Sequence, residues 1–300
     1  MKNLVFFNQF HNGDCFVGKK YVSEMMRQMP GIKFGYAHNN HADILKDLYA
    51  EHNVEHLGLN NIPLIEQRTR VAHSPDKETV FINTWVGCWQ GTAFPFGEHI
   101  NFIRLHTIWR EFFKFYNLEF NEDPNFYLPT IDYKHFDVVA VDEFVQSHKN
   151  IVLICNGPAN SGQSQVGNLS RALDILAEYY ADHTFVATQK VAVNRPNVHF
   201  INDFIQTENN LNQIAYLAGF CDLIVGKNSG PFSYCQNRDN LLNPKLTFLN
   251  LSLLSTDCPS GAGQYLARCT FSREVEEVKI AKLIQELIDK PNHRGTELLS

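Results

Sequence analysis

Short apolar runs alternate along this chain with stretches whose apolar positions recur every three to four residues, the pattern of strands interleaved with helices. In the first half, strand-like runs occupy 4–8, 33–37, 54–57 and 79–85. Helical periodicity occupies 17–29, closed by Pro30-Gly31, then 42–52 and 101–116. Along 101–116 the positions Phe102, Leu105, Ile108, Trp109, Phe112 and Phe113 fall on one face. The stretch 118–133 carries Pro124 and Pro129 without sustained periodicity and reads as a connection, and 136–146 has no clear form. The second half repeats the grammar, with strands at 151–155, 184–187, 198–201, 223–225 and 246–249 and helices at 168–180, 209–220 and 275–288. Such alternation predicts parallel sheets covered by helices.

Both halves open on an apolar strand that delivers a polar turn, HNGD at 11–14 and NGPANSG at 156–162. The expectation is an α/β protein of two Rossmann-like domains, 1–147 and 148–300, whose parallel sheets face each other across a cleft. Ligands of such sheets bind outside the carboxyl ends of the strands, which is where both turns would lie.

Composition narrows the function. The 300 residues carry 26 Lys and Arg against 32 Asp and Glu, a net charge of −6, so no basic field marks a nucleic-acid partner. Seven cysteines, at 15, 88, 155, 221, 235, 258 and 269, form no CxxC pair and read as buried free thiols of a reducing compartment. The apolar part of the first residues is too short for a signal peptide, and no run approaches the ~18 apolar residues of a membrane span. A cytoplasmic, soluble protein is expected.

The most specific chemistry lies in CDLIVGKNSGPFSY at 221–234, a buried strand entering a Gly-containing turn and a helix. Lys227, Asn228, Ser229 and Gly230 would lie at the helix N-terminus, where unpaired N–H groups and the helix dipole attract an anion such as a diphosphate. The Asn156-Gly157 turn is its partner in the same half. In the first half, Asp14 can be an N-cap or a general base, with His11 and Asn12 beside it to orient an acceptor hydroxyl. For a nucleotide base the candidates are Thr188, Gln189 and Lys190 after one strand and Asp203 and Phe204 after the next. Trp85 and Trp89, in the aromatic segment 83–99, can stack on an acceptor sugar or pack as core.

Taken in order, the strand, Gly13-Asp14 and helix of the first half and VGKNSGPFSY of the second resemble the heptosyltransferase-like glycosyltransferases of the GT-B fold. The resemblance implies that Asp14 deprotonates the acceptor and that Ser229, Gly230 and Pro231 hold the donor diphosphate. Two positions depart from the family's Asn-Asp-Ser/Thr-Gly-Pro signature and its following His: Asn228 stands where the Asp is usual and Ser233 where the His is usual. Lys190 and Lys227 are then the candidates for countering diphosphate charge.

The expected activity is inverting transfer of a sugar from a nucleotide-diphosphate donor to a hydroxyl of a saccharide or glycan acceptor. Direct displacement leaves charge on the diphosphate, which a helix N-terminus can stabilise. No DxD-like acidic cluster is present, so no metal and no cofactor are expected. A lipid-linked acceptor would bring peripheral membrane contact. The alternatives are a noncatalytic nucleotide- or sugar-binding module of the same fold and a nucleotide-sugar epimerase. The absence of GxGxxG and of GxxxxGK[ST] argues against nicotinamide enzymes and Walker-type NTPases.

Overall fold

A computed structural model describes residues 1–62, 69–85, 102–159, 164–207, 209–227, 229–253 and 265–290. The chain divides into two compact units, Met1–His135 and Phe136–Ser300.

In the first unit, β1 (Asn3–Phe7), β2 (Lys33–Ala37), β3 (Glu55–Leu57), β4 (Val71–His73) and β5 (Thr79–Asn83) pair in the order β3-β2-β1-β5-β4. All pairs are parallel except β4 on β5, an antiparallel edge of three residues too short to register as an apolar run. Helices α1 (Asn12–Gln28), α2 (Lys46–His52) and α3 (Phe102–Phe115) complete it. The expected helix at 42–52 is a 3-10 turn, Ala42–Leu45, followed by α2. The supposed connection 118–133 is part of the core: Tyr127, Leu128 and Ile131 are buried, and Tyr21 of α1 is stacked 4.3 Å from Tyr127 and 5.2 Å from Trp109 of α3. A buried ion pair joins Lys19 to Asp47, and the same ammonium donates to the Thr130 carbonyl at 2.7 Å, fixing α1, α2 and that segment together.

The second unit opens with α4 (Val139–Ser147), the stretch left without a form above. Its Phe144 stacks 4.3 Å from Phe204, and Tyr216 donates to Asp142 at 2.9 Å. These contacts tie the helix to the residues that follow it, so the division of the chain falls before α4 rather than at 147. Strands β6 (Ile151–Cys155), β7 (Thr184–Ala187), β8 (Val198–Phe200), β9 (Leu223–Lys227), β10 (Thr247–Leu251) and β11 (Arg268–Ser272) form an all-parallel sheet in the order β11-β10-β9-β6-β7-β8. The intervening helices are α5 (Ser170–Tyr179), α6 (Ile201–Phe204), α7 (Leu211–Ala218), α8 (Gly230–Cys235) and α9 (Arg238–Leu241), and α10 (Glu277–Asp289) closes the described chain. Strand β11, RCTFS, escaped the sequence reading because its polar residues break the apolar run, yet four of its five residues are buried.

Each sheet winds outward from its first strand and then returns to that strand's other side. The reversal lies between β1 and β5 in the first unit and between β6 and β9 in the second. Strand order of this kind opens a crevice at the carboxyl ends, because the connections on either side of the reversal leave in opposite directions.

The turn after β9 depends on one glycine. Gly226 lies beside Cys155 and Asn250 in the ladder, and a Cβ there would meet the Phe232 ring of α8 at 2.1 Å. Replacing it by alanine must push α8 off the sheet. Gly226→Ala is expected to cost about 1–3 kcal/mol of unfolding free energy, the usual range for overpacking a core. Urea denaturation checks this, and a loss below about 0.5 kcal/mol would show that α8 is free to shift.

Candidate functional site

In the first unit the chain leaves β1 through Asn8, whose amide donates to the Thr84 hydroxyl at 3.1 Å and whose carbonyl oxygen accepts from the Phe10 N–H at 2.9 Å. Thr84 follows β5 and also bonds the Phe7 carbonyl and the Tyr36 hydroxyl. The two strand ends flanking the reversal are thereby tied together. Phe10 and Trp85 stack above them with ring centres 3.8 Å apart, so Trp85 belongs to the strand-end turn. Trp89 and nearly all of the rest of the segment 83–99 lie outside the described residues.

Helix α1 begins earlier than its periodicity suggested, at Asn12, because the polar residues of HNGD contribute no apolar face. Its N-cap is His11, which makes no side-chain capping bond, and Asp14 is the third helical residue rather than the cap. Asp14 is half-buried, and burial raises its pKa against the opposing pull of His11 and the neighbouring backbone N–H groups. A carboxylate raised in this way accepts a proton more readily than a solvated one, as a general base requires. The Asn12 Oδ1 beside it is buried with no hydrogen-bond partner among the described residues, an acceptor open to a ligand hydroxyl.

Other titratable groups near this turn are disqualified by their surroundings. Burial, with the Asp14 charge, pushes the Cys15 thiol up to about 12, so it is no nucleophile at neutral pH. His38 is fully buried, hydrogen-bonded to Tyr49 at 2.6 Å, and burial lowers its pKa to about 4, so it stays neutral.

In the second unit, Lys227 is the last residue of β9 rather than part of the turn. Its ammonium, on a residue only 5% exposed, donates to the carbonyls of Gly167 at 3.0 Å and Val166 at 3.4 Å. No carboxylate pairs with it among the described residues, and burial lowers its pKa while Glu277 opposes that shift. Asn228 lies outside the described residues. Ser229 is the N-cap of α8, yet its buried Oγ makes neither the capping bond nor any other among the described residues. Helix α8 has only six residues and carries Pro231 in its first turn, so its dipole and N–H groups supply less than expected. The buried cation and the unpartnered hydroxyl are the stronger anion-holding features.

Asn156 and Gly157 stand across the strand reversal from these groups. The Asn156 amide is saturated: it accepts from the Thr188 hydroxyl at 3.2 Å and the Gln189 N–H at 2.8 Å, and donates to the carbonyls of Gln189 at 3.0 Å and Asn168 at 3.1 Å. Its part is therefore to position the strand-end loops rather than to contact a ligand. Gly157 lies against the Gln189 side chain.

A cavity of about 640 Å³ opens at the ends of β7 and β8, lined by Thr188, Gln189, Asn202, Gln206, Asn210 and Pro231 among others. Thr188 and Gln189 are among its lining residues. Asp203 and Phe204 are not: the Asp203 carboxylate accepts from the Phe200 N–H at 3.2 Å to start α6, and Phe204 is stacked on Phe144. Lys190 is exposed, with its ammonium 5.8 Å from the centre of the Phe200 ring. Gln206 and Asn210 gave no sequence signal beyond lying in a polar loop, and only folding gathers them with Asn202. Among the described residues no group of three or more potential metal ligands clusters, and no helix is long and apolar enough to cross a membrane.

No protein-family model and no curated protein matches the chain. Among solved structures it is similar to E. coli heptosyltransferase WaaC with ADP-2-deoxy-2-fluoro heptose, at 10% identity over 96% of this chain and 99% of that one, with a TM-score of 0.54. The fold is that of the heptosyltransferase-like GT-B proteins. A similar match is S. aureus MnaA with UDP, 11% identical over 96% and 88% of the chains with a TM-score of 0.52. The UDP-GlcNAc 2-epimerase from Neisseria meningitidis bound to UDP-GlcNAc gives 11%, 97%, 92% and 0.46. At such identities the likeness establishes the GT-B architecture and no more.

Because the Asp14 pKa is raised in the folded state, the folded protein holds this proton more tightly than the unfolded chain does. The stability contribution therefore falls as pH rises from the ordinary carboxylate value of about 3.9 through the raised one. Asp14→Asn is expected to raise the thermal midpoint at pH 7 to 8, with the gain disappearing near pH 4. Calorimetry across this range is the measurement, and an equal effect at both ends would remove the assignment.

Proposed function

We propose that this protein is a cytoplasmic nucleotide-sugar glycosyltransferase, the second unit holding a nucleotide-diphosphate donor and the first supplying the acceptor site and the base. The observation that carries this reading lies at the end of β9: among the described residues, a buried Lys227 ammonium that meets two carbonyls but no carboxylate, and a buried Ser229 hydroxyl without a partner. Burying an unpaired cation is costly, and an anionic ligand offsets that cost. Among the described residues the adjacent cavity is lined by carboxamides and hydroxyls together with Ile205, Ile214 and Pro231, a mixed surface suited to a base and ribose.

In the proposed reaction Asp14 takes the proton of the acceptor hydroxyl as its oxygen bonds to the anomeric carbon, and the bond from that carbon to the diphosphate oxygen breaks. The configuration inverts. The nucleoside diphosphate leaves with the bonding pair, and its new charge is met by Lys227, Ser229 and the Gly230 N–H, without a divalent metal. Asn12 and Trp85 orient the acceptor, a saccharide or glycan.

Incubation with a panel of ADP-, UDP- and GDP-sugars and saccharide acceptors, with product configuration read by NMR, tests the reading. Transfer with inversion, undiminished by EDTA, is expected for at least one pair. Asp14→Ala should lower kcat by about 10²–10⁴-fold, the usual contribution of a general base, while donor binding by the second unit persists. Epimerised sugar formed without an acceptor would replace this reading by that of an epimerase, and binding without turnover throughout would leave a binding module.

A further inference from the structure

The N-terminus of α5 is a natural place for an anion in this unit, and the chain fills it with its own side chain. The Glu277 carboxylate, at the start of α10, accepts from the backbone N–H of Arg171 at 2.7 Å and of Ala172 at 3.2 Å. The loop leading into α5 is held tightly. Leu169 takes a left-handed conformation (φ 61°) that a branched side chain adopts only under constraint, with its side chain buried in the core. At Gly167 a Cβ would come within 2.9 Å of the other Glu277 oxygen, so the carboxylate lies directly against that residue. The carbonyls of Gly167 and Val166, on the same loop, are the ones that receive the Lys227 ammonium.

We propose that Glu277 is a positioning residue for Lys227: it fixes the 166–172 loop whose carbonyls cradle the ammonium and places a carboxylate against that cradle. The inference deepens the donor-site reading and rests on it for the identity of the ligand.

Other charged groups on these elements do not take the same part. Arg171 offers its backbone N–H to Glu277 and is otherwise exposed, and Glu274 and Glu276 ion-pair at the surface with Lys279. The Glu277 charge opposes the effect of burial on Lys227, raising the pKa that burial lowers.

The test is a double-mutant cycle read against pH on the full chain. Glu277→Gln keeps the shape and removes the charge, so its destabilisation should be largest at the low end of a series from pH 7 upward. It should shrink as pH rises and Lys227 loses its proton. In a Lys227→Met background the Glu277→Gln penalty should no longer depend on pH. A penalty equal at all pH, or one with the same pH dependence in both backgrounds, overturns the proposal, since a merely structural cap would behave that way. Glu277→Asp, which retains the charge, should keep the wild-type pH dependence, and a Gln-like profile for it also counts against the proposal.

Titration with inorganic pyrophosphate, ADP and UDP completes the experiment. The Glu277→Gln protein should lose pyrophosphate affinity more steeply than the wild type as pH rises from 6.5 to 9, and Lys227→Met should be at least tenfold weaker throughout. The same pH dependence in wild type and Glu277→Gln overturns the proposal. Failure of the wild-type protein to bind any of the three overturns the donor-site reading, while the stability cycle still judges Glu277 by itself.

Discussion

A parallel sheet that winds to one side of its first strand and then to the other must leave its carboxyl edge uncovered at the reversal, and this chain meets that constraint twice. At β1 and β5 the exposed strand ends are laced by Asn8 and Thr84 and covered by the Phe10–Trp85 stack. At β6 and β9, Asn156 ties the end of β6 to the residues after β7, and the end of β9 carries Lys227 and Ser229. The rest of each unit serves to make these edges rigid. Apolar strands buried on both faces fix the register, and the near contact of Gly226 with Phe232 sets the height of α8 above the sheet.

The two groups proposed for chemistry are shifted in opposite directions by the same force. Burial raises the Asp14 carboxyl toward its neutral form and lowers the Lys227 ammonium toward its neutral form. In each case the chain opposes burial only in part, through His11 and backbone N–H groups for the acid and through Glu277 and two carbonyls for the base. A residue poised in this manner responds strongly to the charge of a ligand, because little else nearby compensates for it.

Strand periodicity made the alternation of elements legible, since a buried parallel strand is an apolar run wherever it occurs, and 151–155 and 184–187 were read to the residue. What failed was everything set by partners distant in the chain. Strands β4 and β11 are short and held by neighbours, the 118–133 segment is folded by the ring of Tyr127, and α1 starts on polar residues that carry no periodicity. The site divides similarly. The candidates Asp14, Ser229 and Thr188 each follow a readable strand, whereas the Asn156 and Asp203 side chains are taken up by hydrogen bonds that no local pattern announces. Glu277 lies over a hundred residues from the loop it holds, and no local pattern could have pointed to it.

The saturated amide of Asn156 has a consequence for what binding costs. One side chain links the end of β6, the start of the α5 loop and the residue that carries Gln189 into the cavity, so these segments lose their freedom when the sheet forms rather than when a ligand arrives. Ordering entropy that a floppy loop would lose on each encounter is here removed once, during folding. The backbone of Gln189 is in this way set in place by the fold itself.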